Sequence, residues 1–323
     1  MIRTQRRRVL PARWPVSRTV AAAALVAAVV GIGLSGWVVS ARASYPGGNG
    51  LIAFSRKTAE GCSIAVVRPD RSGFRTLIAA GSSPSWSPDG RFLVFQRKTA
   101  RGDWDLFVAN ADGSGQRQLD DPGFDDFTPS WSPDGSQLVF TRAKTGGGYD
   151  DIYLVNADGS DLRVLIGDPD SLSSYDSFAP SWSPSGEWIA FITQDGVITL
   201  IHPDGSGRHD LPEPGDGTAS NPGWSPDSSQ IAYDAAGIHG WGDIYVSDVN
   251  GTYARALTRS PGDEAAPSWS PDGTQISYGL FTTRNGRSLE HADLYVMNAD
   301  GSHPRPLVRG PAAKWGTDWQ PVH

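Results

Sequence analysis

The side chains best suited to catalysis or metal binding in this chain of 323 residues are those of His239 and His291, which lie in long, irregular stretches of sequence. Trp241 lies two residues after His239, and Glu290 directly precedes His291. Imidazole and carboxyl groups that converge, here with Asp263, can hold a metal ion or perform acid–base catalysis. They define a candidate active site for a hydrolase or lyase acting on a sugar or small molecule. Surface placement without a catalytic role is the favoured interpretation, since two of six histidines in such stretches are weak evidence.

Carboxylates and aromatic side chains also occur together in other irregular stretches. The complete set of candidate binding residues is Trp104, Asp125, Asp126, Phe127, Tyr175, Asp176, His239, Trp241, Glu290 and His291. Carboxylate oxygens can bind Ca²⁺ or pair with a basic partner. Alternatively, these carboxylates belong to an ordinary solvated surface. Residues 167–176 have the carboxylates of a calcium loop but lack the spaced glycine of the EF-hand pattern. We therefore expect no resident cofactor, with Ca²⁺ on these loops as the open alternative.

Composition excludes several other kinds of site. Cys62 is the single cysteine, so the chain has no internal disulfide and no cysteine-based zinc cluster. No G-x-S-x-G sequence occurs, which argues against the nucleophile elbow of serine hydrolases.

The first 43 residues have the composition of an export leader. They contain seven arginines and no acidic residue, and residues 20–39 form an uncharged stretch followed by Ala41-Arg42-Ala43. This order is typical of a signal peptide cleaved after Ala43, although 20 such residues are also long enough for an uncleaved membrane anchor. In both cases residues 44–323 are expected outside the cytoplasm, whether periplasmic, extracellular or anchored on the outer side of the cytoplasmic membrane.

The remainder of the chain is acidic. Subtracting the seven leader arginines from 28 basic residues leaves 21 against 35 acidic residues, a net charge of −14. Nucleic acids and anionic lipid surfaces both require a basic face, so both are excluded as partners. Membrane contact is expected only through the N-terminal segment if it stays uncleaved, and the protein is expected to be a monomer.

A seven-residue motif recurs along the acidic part of the chain. PSWSPDG or a close variant begins at Pro84, Pro129, Pro180, Pro222 and Pro267, and a degenerate copy surrounds Trp319. The six motif tryptophans, Trp86, Trp131, Trp182, Trp224, Trp269 and Trp319, are 42–51 residues apart. Complete motifs are followed by an apolar triplet, a β-rich run, an Asp-Gly or Asn-Gly pair and a short strand. This pattern predicts four strands per unit, with S-P-D-G and two-residue D-G turns as hairpin connections.

Six such units predict an all-β, six-bladed β-propeller with four antiparallel strands per blade. The first unit begins at residues 47–54, which match the apolar second strand of a repeat and lack the tryptophan strand before it. The C-terminal segment around Trp319 supplies that missing strand. The N- and C-terminal strands should therefore share one blade and close the ring. The predicted organisation is a leader over residues 1–43 and a propeller over 44–323. The motif tryptophans are expected to pack the blades together, and all the long loops should lie on one face.

The W-S-P-D-G motifs, with the apolar-x-Phe/Tyr, D-I-Y and D-G elements that follow them, resemble the WD-like repeats of TolB-type propellers. The resemblance covers residues 47–321 and is specific for fold. It is a resemblance to the propeller alone, because only a few residues separate the leader from the first blade and leave no room for the N-terminal α/β domain of TolB. Similar repeats occur in propellers of prolyl-oligopeptidase-type peptidases, but the peptidase activity has no support in this sequence.

Function is expected in the loops, because loops carry binding sites on rigid scaffolds. The first hypothesis is a non-enzymatic scaffold of the cell envelope that presents an acidic, aromatic loop face to a protein or glycan partner. The alternative is the propeller enzyme that uses His239 and His291 at the mouth of the channel.

Overall fold

The computed structural model describes residues 42–119, 123–144, 150–167, 177–212, 218–236, 242–282 and 291–323. Every regular element in these ranges is a β-strand, and the strands form six antiparallel sheets of four. No helix of a length and hydropathy that could cross a bilayer occurs among these residues.

Each sheet forms one blade, whose strands follow one another from the inner to the outer edge. The first blade contains β24 (Lys314–Val322), β1 (Gly48–Thr58), β2 (Gly61–Val67) and β3 (Arg75–Ile78). The second contains β4 (Ser82–Trp86), β5 (Phe92–Lys98), β6 (Trp104–Asn110) and β7 (Arg117–Gln118). The third contains β8 (Phe124–Trp131), β9 (Gln137–Lys144), β10 (Asp151–Asn156) and β11 (Arg163–Ile166).

The remaining three blades repeat this order. The fourth contains β12 (Ser177–Trp182), β13 (Ile189–Thr193), β14 (Ile198–Ile201) and β15 (His209–Asp210). The fifth contains β16 (Ala219–Trp224), β17 (Gln230–Ala236), β18 (Gly242–Asp248) and β19 (Ala254–Ala256). The sixth contains β20 (Asp263–Trp269), β21 (Gln275–Thr282), β22 (His291–Asn298) and β23 (Arg305–Val308).

The two ends of the chain close the ring in the first blade. The C-terminal strand β24 pairs antiparallel with the N-terminal strand β1, with Trp319 opposite Ile52. The predicted six-bladed, all-β propeller with a blade shared by both ends is confirmed. Pairing of the terminal strands leaves no open edge between the first and last blades, which protects the ring from fraying.

The S-P-D-G motif connects the inner strand to the second strand, as predicted. In the second blade Gly90 N donates a 2.9 Å hydrogen bond to Ser87 O, and Gly90 has a φ of +66°. Ser87 Oγ donates to Asp89 Oδ1 at 2.6 Å, which fixes the turn from inside. We call the end of the ring that carries these turns the turn face and the opposite end the loop face.

The Asp-Gly pairs form longer connections than the predicted two-residue hairpins, and that prediction was wrong. Asn110 N donates to Ser114 O at 2.9 Å, and Gly113 N donates to Asn110 O at 2.8 Å. The carboxylate of Asp112 accepts the amide of Ser114 at 2.8 Å. Asp112 and Gly113 therefore occupy the third and fourth positions of a turn. The Asp112 carboxylate accepts a backbone amide that would otherwise need a partner on the neighbouring strand.

The six motif tryptophans lie on the inner strands and are buried between blades. Trp131 Nε1 donates to Ser85 O of the preceding blade at 3.1 Å, and Trp224 Nε1 donates to Ser181 O at 3.0 Å. Large aromatic side chains bury much apolar area, and an indole N–H that reaches a carbonyl avoids the cost of burial without a partner. The tryptophans thus tie neighbouring blades together.

A left-handed residue occurs three positions before the tryptophan on every inner strand. These residues are Ser83, Thr128, Ala179, Asn221, Ala266 and Gly316, with φ between +50° and +60°. At each one the pairing with the second strand shifts by one residue, which is a β-bulge. Nothing in the residue types predicts this ring of bulges, since only one of the six is glycine.

Candidate functional site

A buried ion pair lies at the loop face of the third blade. Arg142 on β9 donates through Nε and Nη2 to the two carboxylate oxygens of Asp126 on β8, both at 2.7 Å. The side chains of Arg142 and Asp126 are 5% and 0% exposed. A two-bond guanidinium–carboxylate contact fixes both side chains in one geometry.

Aromatic rings surround this ion pair. The guanidinium of Arg142 lies 4.9 Å from the ring centre of Phe124 and 5.3 Å from those of Phe140 and Tyr153. Phe124 is 40% exposed, whereas Phe140 belongs to the core. Burial raises the pKa of Tyr153, and the charge of Asp151 adds to that rise. The Arg142 side chain therefore joins the core to an exposed aromatic ring.

The remaining candidates of this blade lie beside the same pair. Asp125 Oδ1 accepts a 2.9 Å hydrogen bond from Trp104 N on β6 of the second blade. The rings of Trp104 and Phe127 are 6.3 Å apart at 48°. We call Trp104, Phe124 and Phe127 the aromatic patch. The structure thus brings together four of the predicted residues, Trp104, Asp125, Asp126 and Phe127, and adds Phe124 and Arg142 to them.

The two carboxylates of this region serve different purposes from those expected. Asp126 is buried and paired with Arg142, and Asp125 binds a backbone amide. Both carboxylates therefore bind groups of the protein itself. Residue types alone do not identify Arg142 as a site residue, because its position opposite Asp126 depends on the bulge at Thr128.

The other candidate residues fall largely outside the described residues. These are Tyr175, Asp176, His239, Trp241 and Glu290, together with most of the calcium-loop candidate at 167–176. The backbone of His291 pairs with Thr282 at the loop end of β22. No group of three or more metal-ligating side chains is found among the residues described. The roles of these candidates stay predictions.

Buried carboxylates lie at the loop ends of the fifth and sixth blades. Burial raises the pKa of Asp234 to about 7, although Ala266 N and Asn221 Nδ2 each donate to Asp234 Oδ1 at 2.9 Å. Burial likewise raises the pKa of Glu264 to about 7, against the hydrogen bonds from Ser260 and Thr258. Asp263, a member of the histidine-centred candidate site, accepts Gly242 N at 2.7 Å and also has a raised pKa because of burial.

Two surface pockets are lined by residues outside the predicted set. The first, of about 500 Å³, lies at the turn face beside Tyr45, Phe92 and Trp131 and between the prolines of neighbouring S-P-D-G turns. The second, of about 380 Å³, lies between the first and sixth blades and is lined by Arg56, Arg71, Phe74, Arg309 and Lys314. Its cationic lining contrasts with the negative charge of the chain.

The repeated strands and turns agree with a known family. The family described as "TolB beta propeller domain" matches residues 52–211 and again 171–322.

The chain belongs to the TolB beta-propeller domain family.

Solved structures of family members and of other propellers have the same architecture. TolB from Acinetobacter baumannii superposes with a TM-score of 0.71 at 21% identity, over 96% of this chain and 74% of that chain. A putative TolB from Agrobacterium tumefaciens gives 0.60 at 18% identity, over 85% and 99%. An oligogalacturonate lyase from Vibrio parahaemolyticus gives 0.57 at 14% identity, over 84% and 79%. At such identities the similarity establishes a shared fold and not a shared activity.

Proposed function

We propose that this TolB-family propeller is an exported, non-enzymatic binding scaffold of the cell envelope. Its loop face would engage a protein or glycan partner through the aromatic patch of the second and third blades. Export is supported by the basic, apolar leader at residues 1–43. The observation that carries the proposal is the Asp126–Arg142 ion pair, which holds the exposed ring of Phe124 over a fixed guanidinium.

The geometry suits recognition because the patch is organised before a partner arrives. Trp104 is held through its backbone by Asp125, and its ring contacts Phe127. Rigid aromatic side chains lose little conformational freedom on binding, so they contribute strongly to affinity. Flat rings of this kind can pack against apolar protein side chains or the apolar face of a sugar.

The test compares two phenylalanines of similar exposure. Phe124→Ala removes the exposed ring of the patch, and Phe74→Ala removes a ring that is 47% exposed elsewhere on the propeller. Tagged protein, crosslinked in envelope preparations, should capture a specific species that is lost with Phe124→Ala and retained with Phe74→Ala. Protease treatment and a glycan array then distinguish a protein from a glycan. Identical capture by both variants would contradict the role of the patch.

The enzyme is the second candidate, favoured by the fold shared with oligogalacturonate lyases, one of which was solved in complex with manganese. The backbone of His291 lies at the loop end of β22, where a loop-face active site would be. Incubation with oligogalacturonate and Mn²⁺ should then produce unsaturated uronides, detected by ultraviolet absorbance, and His291→Ala should abolish them. Absence of product from the wild-type chain would contradict an oligogalacturonate lyase activity.

A further inference from the structure

Residues 42–45, which precede the first strand, are buried inside the propeller. Arg42 is 1% exposed, and Ala43, Ser44 and Tyr45 are also buried. Ala43 and Tyr45 belong to the same apolar cluster as Trp131 and Trp224. This is the segment in which the sequence predicts the cleavage site of the leader.

The segment contacts blades on different sides of the ring. Arg42 Nη2 donates to Ser83 O in the second blade at 3.3 Å, and the Tyr45 hydroxyl donates to Trp131 O in the third. Ser44 N donates to Trp224 O in the fifth blade at 3.3 Å. A four-residue segment can reach the second, third and fifth blades together only if it lies in the central channel.

The contacts also give the direction of the segment. Gly47 N donates to Pro271 O, which follows the inner-strand tryptophan of the sixth blade at the turn face. Ser44 contacts an inner-strand tryptophan itself, and Arg42 contacts Ser83, three residues before Trp86. The chain therefore passes from the turn face into the channel as the residue number falls from 47 to 42.

Arg42 lies near an exception in the repeat. The residue before the inner-strand tryptophan is small in five blades and acidic in the sixth copy of the motif: Ser85, Ser130, Ser181, Gly223, Ser268 and Asp318. Asp318 is 1% exposed, and its Oδ2 accepts Trp86 N at 2.6 Å. A carboxylate buried this deeply needs a compensating charge.

Arg42 is the basic residue whose charge acts on this carboxyl group. Burial raises the pKa of Asp318 to about 8, while the Trp86 amide and the positive charge of Arg42 act against the rise. Burial lowers the pKa of Arg42 to about 10, and Asp318 acts against that change. With a pKa of about 8 the Asp318 carboxyl is largely protonated at neutral pH, so the charge of Arg42 acts on a carboxylate mainly at higher pH.

We propose that Arg42 and Ala43 are a permanent part of the folded, exported protein, where they fill the channel and Arg42 binds Ser83 O. Cleavage after Ala43, the site that the leader pattern predicts, would remove both residues and leave the buried space that they fill between the blades empty. The leader is therefore processed before Arg42 or is retained. This inference rests on the proposed export and is independent of the partner that the scaffold binds.

The first test maps the N-terminus of the exported chain. The full-length protein is produced in a host that exports it, recovered from the envelope fraction, and analysed by intact mass and N-terminal sequencing. A first residue at or before position 42 is expected. Recovery of the exported protein with Ser44 as its first residue would overturn the proposal, whereas a full-length chain found in the cytoplasm would contradict the export and not the channel contact.

The second test measures the contribution of the buried Arg42 side chain in the purified protein. Arg42→Ala should lower the Tm by several degrees, because it leaves a cavity in the channel and removes the hydrogen bond to Ser83 O. Arg101→Ala removes an exposed arginine and serves as the control. Equal Tm values for Arg42→Ala and Arg101→Ala would overturn the burial of Arg42 in the channel.

Discussion

Arg142 on strand β9 donates two hydrogen bonds of 2.7 Å to the carboxylate of Asp126, which lies opposite it on strand β8 in a site closed to solvent. The pair connects three features of the molecule. Its position depends on the bulge at Thr128, its guanidinium packs on the core residue Phe140, and its outer side supports the exposed ring of Phe124. The candidate binding surface is thus built directly on the packing of the third blade.

Removal of the arginine should destabilise the protein strongly. Arg142→Ala leaves the Asp126 carboxylate buried without its partner, and breaking such a pair costs about 3–5 kcal/mol. The double variant Asp126→Asn, Arg142→Ala should be more stable than Arg142→Ala alone, because the uncompensated charge is gone. Urea unfolding provides the free energies, with Arg101→Ala as the exposed control. A loss below about 1 kcal/mol for Arg142→Ala would contradict the buried pair.

Two motif tryptophans should differ in their response to the same substitution. Trp224 Nε1 donates to Ser181 O at 3.0 Å, whereas Trp182 Nε1 has no hydrogen-bond partner among the described residues. Both Trp→Phe changes remove similar volume, but only Trp224→Phe also removes a buried hydrogen bond. We expect Trp224→Phe to cost about 1 kcal/mol more than Trp182→Phe. Equal losses in denaturant unfolding would contradict a stabilising role of the indole bond.

The contribution of two buried carboxyl groups to the stability of the propeller should fall as the pH rises from about 4 to about 7. The pKa of Asp234 in the folded chain is about 7, above the ordinary value of about 4 in an unfolded chain. The folded state therefore holds the proton more tightly, so the contribution of this residue is largest below about pH 4 and is lost as the pH approaches 7. Glu264 acts in the same direction because burial also raises its pKa to about 7.

Asp234→Asn isolates this effect. An asparagine carbonyl can still accept from Ala266 N and Asn221 Nδ2, and it carries no charge at any pH. Relative to the wild type, the Tm of Asp234→Asn should rise by several degrees between pH 5 and pH 8. Asp195→Asn, at an exposed turn, is the control. A difference that stays constant over this range would contradict the raised pKa of Asp234.

Two residues of the ring of bulges, Gly316 and Ala266, should change the stability in opposite directions when they are substituted. Gly316 has a φ of +60°, and a side chain in the left-handed region costs roughly 1 kcal/mol, so Gly316→Ala should destabilise by that amount. Ala266 has a φ of +54°, so Ala266→Gly should relieve strain and stabilise slightly despite the added freedom of the unfolded chain. Ala265 does not have a positive φ, so Ala265→Gly should only destabilise the protein. Loss of stability in Ala266→Gly equal to that in Ala265→Gly would contradict strain at the bulge.

Much of the architecture follows from the spacing of short-range signals along the chain. Trp86 and its five counterparts mark the inner strands, and Ser87 to Gly90 form the turn that their residue types predict. These signals are local, because a proline, an aspartate and a glycine each restrict the backbone at their own positions. With six copies in phase, a closed ring is the arrangement that buries every motif tryptophan.

The pairing of Asp126 with Arg142 in the candidate site does not follow from such local signals. Counting back from the turn, where Trp131 lies opposite Leu138, an unbroken ladder would place Asp126 opposite Ala143. The left-handed backbone of Thr128 shifts the pairing by one residue and places Asp126 opposite Arg142. Since a shift of one residue also changes which sheet face a side chain lies on, the sequence predicts an acidic patch where the fold makes an ion pair.

The fold class, the number of blades and the closure of the ring follow from the sequence alone, because each depends on repeated residues with strong local preferences. The neutralisation of Asp126 by Arg142 and the burial of Arg42 in the channel arise only in the folded ring. Arg142 binds a residue 16 positions away and Arg42 binds one 41 positions away. The energies of these contacts come from burial and charge in the assembled ring, and no local backbone preference encodes either.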